Sequence, residues 1–142
     1  MRPQVFGLLL LMLLAVFPAW AQQADLSGRW YGEGYQGRVY LHWLSERRPD
    51  GGFAVEFRRY EECKIVHRSL EAGRWSLQGN VYTTSTIMID GQRVNYADRY
   101  LLLGLGNDEM TYQHITNGTM FRARKVGADF DWPVCDPSKL IS

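Results

Sequence analysis

Three histidines, two cysteines and a scatter of serines carry most of the latent reactivity in this chain of 142 residues. Chemistry would need them grouped, and they are not. His42, His67 and His114 stand far apart, with no second histidine at i+2 or i+4, so a zinc site would have to collect its ligands from separate strands. No metal site is assigned on that spacing. Ser45, Ser69, Ser76 and Ser85 lack the Gly-x-Ser-x-Gly elbow that presents a nucleophile, and Asp98, a conceivable base beside the histidines, belongs to no carboxylate pair at helical spacing. No catalytic residue and no cofactor are therefore expected, and an enzyme would require distant strands to converge. The run Gly32-Glu33-Gly34-Tyr35-Gln36-Gly37 fits G-x-G-x-x-G, but a dinucleotide site needs a helix to follow and a strand follows at Arg38. These glycines read as a bend and a turn in the first strand.

Cys63 and Cys135 are the two thiols. The chain opens with the marks of an export signal: Arg2, an apolar run from Val5 to Phe17, and Ala19-Trp20-Ala21 before Gln22. The apolar run is too short for a spanning helix, which needs about 20 residues. Residues 1–21 are expected to be cleaved, leaving 22–142 as one domain with a C-terminal tail, periplasmic or secreted and without a membrane span. In an oxidising compartment the two cysteines are expected to pair as a structural disulfide. A redox or thiol-ligand role would call for a close C-x-x-C, which is absent.

Loss of Arg2 with the leader leaves 15 basic and 15 acidic side chains. A neutral domain offers no broad positive field to nucleic acid, so no nucleic-acid partner is expected. The basic clusters Arg47-Arg48, Arg58-Arg59 and Arg122-Ala123-Arg124-Lys125 alternate with apolar residues and read as solvated strand faces.

The elements that must position these side chains are strands. Turn signals recur at Gln36-Gly37, Arg48 to Gly52, Gly79-Asn80, Asp90-Gly91, Gly106 to Asp108 and Asn117-Gly118. Between them lie eight runs rich in β-branched and aromatic residues, near 29–35, 38–44, 53–60, 74–78, 81–89, 96–103, 110–115 and 119–126. The segment 61–71 is open between a further strand and a continuation of the one before it. Alternation is clearest in Phe53/Val55/Phe57 against Glu56/Arg58 and in Phe121/Ala123 against Arg122/Arg124, so each strand has one buried and one wet face. An all-β, eight-stranded antiparallel up-and-down barrel follows, because closure removes the edges that an open meander would expose. Charges on the outer face argue against a membrane barrel.

Gly28-Arg29-Trp30 at the start of the first strand, the eight-strand meander, and a basic residue near the end of the last strand resemble the lipocalin-like, or calycin, group. The resemblance covers about Leu26 to Val126. It implies that Trp30 closes one end of the barrel beneath an arginine of the final strand, Arg122 or Arg124, and that a disulfide ties the tail to a mid-barrel strand. The further lipocalin motifs and the C-terminal helix have no counterpart here.

The resemblance and the aromatic content together point to binding, with a small apolar or amphipathic molecule inside the barrel. Strand parity nominates Trp43, Phe57, Tyr100 and Tyr112 as lining, with Arg99 or His114 as polar anchors at a mouth. The alternative is an interaction module or enzyme inhibitor that engages an envelope protein, with a protruding loop at Glu46 to Gly52 as the first contact to look for.

Overall fold

The computed structural model describes residues 25–36, 39–135 and 138. The expected leader, residues 1–21, lies outside them, as does the second half of the expected Gln36-Gly37 turn. Eight strands run in order: β1 (Gly28–Gln36), β2 (Val39–Arg47), β3 (Gly52–Glu61), β4 (Lys64–Gln78), β5 (Val81–Ile89), β6 (Gln92–Leu105), β7 (Glu109–His114) and β8 (Met120–Val126). Each pairs antiparallel with its neighbours in sequence. Closure comes from β1 against β8, with Arg29 opposite Val126 and Gly32 opposite Ala123. The expected up-and-down barrel is the fold observed. Among the described residues no helix is long and apolar enough to cross a membrane.

Two strands are longer than the sequence pattern implied. β4 starts at Lys64, so most of the ambiguous segment 61–71 is strand, and β6 starts at Gln92. The β3–β4 reversal is a two-residue turn in which Glu62 (φ 48°) and Cys63 (φ 63°) both take the left-handed conformation. Such hairpins usually place Asn or Gly there, so no ordinary turn signal marked it. β4 bends at a bulge between Ala72 and Gly73. A Cβ on residue 73 would lie 1.9 Å from the Ser85 carbonyl oxygen, so only glycine lets β5 approach this closely.

One end of the barrel is plugged. Leu26, Trp30, Leu77, Tyr82, Met110, Tyr112 and Ala123 form a continuous buried cluster. Trp30 is 1% exposed, and its indole donates a 3.0 Å hydrogen bond to the Leu26 carbonyl. The cation over its ring is Lys125, whose Nζ lies 5.7 Å from the centroid, and not Arg122 or Arg124. Strand parity is the reason. Lys125 opposes Trp30 across β8 and β1, while Arg122 points outward to Glu109 (3.2 Å) and Arg124 outward over Tyr31 (5.1 Å).

Beyond β8 the chain turns back across the outer face of the barrel. Arg29 donates to the Gly127 carbonyl at 2.7 Å, Phe130 packs on Tyr31 with ring centroids 4.9 Å apart, and the Arg58 guanidinium lies 3.8 Å from the Trp132 ring centroid. Cys135 then bonds to Cys63 at the β3–β4 turn, joining the expected pair. This strap explains why Tyr31, on the outer face, is only 3% exposed. Beneath it the Tyr31 hydroxyl meets His42 Nδ1 at 2.5 Å, and burial holds the imidazole below its ordinary pKa.

The segment Glu46 to Gly52 carries Arg48, Pro49 and Asp50 exposed to solvent. It is a tight β2–β3 turn closed by Arg48 N to Gly52 O (2.8 Å), and the Trp75 indole (2.9 Å) and Arg74 guanidinium (2.9 Å) donate to its carbonyls.

Candidate functional site

β2 to β8 send alternate side chains inward, and the plug does not fill the space between them. A cavity of about 460 Å³ remains. Trp43, Phe53, Val55, Phe57, Tyr100, Tyr112 and Phe121 supply apolar wall, Arg47 and Tyr82 lie toward the plugged end, and Ser69, Glu71, Thr86, Asp98, His114 and Asn117 stand toward the opposite end. The wall is a web of edge contacts: Tyr100 meets Tyr112 at 5.3 Å, and Trp43 meets Phe121 at 5.8 Å, both nearly perpendicular. Such pairs fix ring orientations beyond what burial alone would do. At Gly32 a Cβ would fall 2.1 Å from the Trp43 ring, so glycine at this position makes room for the indole to seat against β1.

Of the residues nominated from sequence, Trp43, Phe57, Tyr100, Tyr112 and His114 line the cavity. Arg99 does not. It stands between Asp98 and Tyr100, which both face inward, and so lies exposed on the outer surface. Sequence reasoning missed Arg47, Glu71, Tyr82 and the inward position of Asp98. Parity carried a signal for Arg47, since Trp43 and Ser45 share its face, but an Arg-Arg pair beside a turn reads as solvated.

The polar groups sit at two levels. Deep in the barrel Arg47 is 4% exposed; its Nε donates to the Tyr82 hydroxyl at 2.8 Å, its guanidinium carbon lies 4.8 Å from the same ring centroid, and its Nη1 has no hydrogen-bond partner among the described residues. Burial keeps the Tyr100 and Tyr112 phenols protonated far above their usual range, and in Tyr112 the field of Arg47 works against that. At the other level His114 Nε2 meets Asp98 Oδ1 at 2.9 Å, while its Nδ1 accepts from the backbone N–H of Thr116 (3.2 Å) and Asn117 (3.4 Å). An acceptor at Nδ1 puts the ring proton on Nε2, so His114 donates to Asp98. Both nitrogens are occupied, which leaves this pair as a rim support and not a base poised beside a nucleophile. Among the described residues no group of three His, Cys, Asp or Glu side chains is placed to hold a metal ion.

Glu71 is the unsettled carboxylate. Burial, then the charges of Asp98 and Asp90, raise its pKa above the ordinary value. A carboxyl raised in the folded state keeps its proton longer there than in the unfolded chain. It therefore costs nothing below the unfolded pKa, and the cost builds as pH climbs through the folded one. Glu71→Gln is expected to raise the melting temperature at pH 7–8 and to lose that advantage near pH 4. Thermal scans of both proteins at the two pH values test this, and an equal effect at both would rule out ionisation as its source.

No family model matches this sequence, and no curated protein matches it.

Proposed function

We propose that this chain is an exported, lipocalin-like binding protein, periplasmic or secreted, whose barrel takes up a small amphipathic molecule. The cavity carries the proposal. An eight-stranded barrel is only just wide enough for its own side chains or one small ligand, and this one keeps about 460 Å³ against aromatic walls. That is space for about 15 waters at liquid density and falls within the usual range of small-molecule sites. Apolar wall with polar groups at two separate levels suits a molecule with a greasy body and a polar end. The leader-like start of the sequence supports export, and so does the Cys63–Cys135 bond, since such bonds persist in oxidising compartments.

Native mass spectrometry of the oxidised protein isolated from its own secretory compartment tests the reading. One small molecule per chain, lost on unfolding, is the expected result. An apo mass together with failure to bind any apolar fluorescent probe would remove it.

A second reading, engagement of an envelope protein, is favoured by one observation. Leu70, Ile87, Met88 and Tyr96 are exposed on β4, β5 and β6 toward the end of the barrel away from Trp30. Co-purification of a stoichiometric partner that is lost on Ile87→Lys would support it.

A further inference from the structure

Arg47 is a feature of the interior that nothing above requires. An arginine at the end of a strand can bend outward to water or meet a carboxylate, and this one does neither. It is buried, it lines the cavity, and it belongs to no ion pair among the described residues. Tyr82 answers only its Nε and one face of its π system, leaving Nη1 without a partner. A desolvated charge that lacks a counter-ion is unfavourable, and the penalty is relieved when an anion arrives. We propose that Arg47 is an anion receptor and that the ligand of this barrel carries a terminal carboxylate, which enters first and docks on the guanidinium. This rests on the cavity's being a ligand site, as proposed above.

Four observations narrow the class. The guanidinium is a planar fork matched to the two oxygens of a carboxylate. A single arginine balances one negative charge, so a monocarboxylate suits it better than a doubly charged phosphate. Tyr112 lines the same cavity and feels the Arg47 charge, and burial holds its phenol in the protonated form. The phenol thus keeps its own proton to offer as a second donor. The opposite level of the cavity carries Glu71 and Asp98, so a negative end group there would be repelled. Together they fix an orientation: carboxylate inward on Arg47, apolar body along Trp43, Phe57 and Phe121, and an uncharged outer end.

The test uses three ten-carbon probes that differ only in the end group: decanoate, 1-decanol and decylammonium. They are titrated by calorimetry into the full-length mature, oxidised protein at pH 7.5. Decanoate is expected to bind at least about tenfold more tightly than decanol, the size of a charge-assisted hydrogen bond. Arg47→Met, which keeps the volume of the stem, is expected to abolish that preference while decanol still binds. Equal affinity of the wild-type protein for decanoate and decanol would overturn the Arg47 assignment and leave the cavity reading standing. Tighter binding of decylammonium would overturn the orientation. Failure of all three probes in the wild-type protein would count against the cavity as a ligand site and the receptor with it. The wild-type comparison decides the matter even if the variant does not fold.

Discussion

Trp30→Ala is expected to lower the unfolding free energy by about 3–5 kcal/mol. The indole is the largest fully buried side chain of the plug, and truncation leaves a void among Leu26, Leu77 and Met110 that relaxation of a packed core closes only in part. It also strands the Leu26 carbonyl without its 3.0 Å donor and takes the aromatic face away from Lys125. A domain of this size has about 5–15 kcal/mol in total, so the variant should lie near the edge of folding. Urea titration followed by a backbone signal measures the effect as a fall in midpoint. Trp30→Phe separates the contributions, since it restores much of the packing but not the hydrogen bond and should lose about 1 kcal/mol for the latter. A loss below about 1 kcal/mol for the alanine variant would show that the plug does not depend on this ring.

Removing the disulfide should cost nearly as much by another route. The Cys63–Cys135 bond spans 72 residues of chain, and in the loop-entropy model closing a loop of that size stabilises by about 4 kcal/mol. For a domain near 100 residues, the Cys63→Ser/Cys135→Ser protein should melt about 15 °C or more below the native one. A local signature should come with the global one. The strap that carries Phe130 and Trp132 is anchored at its far end by this bond, so its release should bare Trp132 to water and shift its emission to longer wavelength. His42 should then regain solvent, and its pKa should rise back toward the ordinary value. In the native protein, stability from this neutral imidazole is present above the ordinary histidine pKa and is lost as pH falls through and below it. The double variant should therefore lose less stability than the native protein between pH 7 and 5. An unchanged melting point with Trp132 still shielded would mean that aromatic packing alone holds the strap.

Legibility in the sequence followed the places where one local rule dominates. Asp90-Gly91 announced its hairpin because Asp and Gly tolerate the left-handed backbone found there (φ 49° and 80°). Glu62-Cys63 makes the same kind of turn and went unread, since neither residue prefers that conformation. The first half of β4 was ambiguous for a related reason. Near the open end of a barrel the inward face is wet as well, so His67 and Glu71 point toward the cavity while Ile65, Val66 and Leu70 lie exposed, and the alternation that marks a half-buried strand disappears. Parity puts Trp43, Phe57, Tyr100 and Tyr112 on the inward face, where they line the cavity, and the same rule puts Arg99 outside, between two inward neighbours. An arginine that faces inward, Arg47, was hidden by a composition rule that sends charge to solvent. The covering of Tyr31 depends on a tail nearly 100 residues away and leaves no local trace.

Seven of the eight ladders join strands adjacent along the chain, most of them across turns of a few residues, whereas β1 and β8 must find each other from opposite ends of the domain. The time course of folding follows from that asymmetry. Hairpins can form within microseconds, but the seam can zip only after a long loop has closed, so the meander should be in place first and the seam should set the rate. Until then Gly28–Gln36 and Met120–Val126 are two unpaired strand edges, one at each end of the sheet, and each is a template for a neighbouring molecule. The interval before the ring shuts is when this protein is most vulnerable to aggregation.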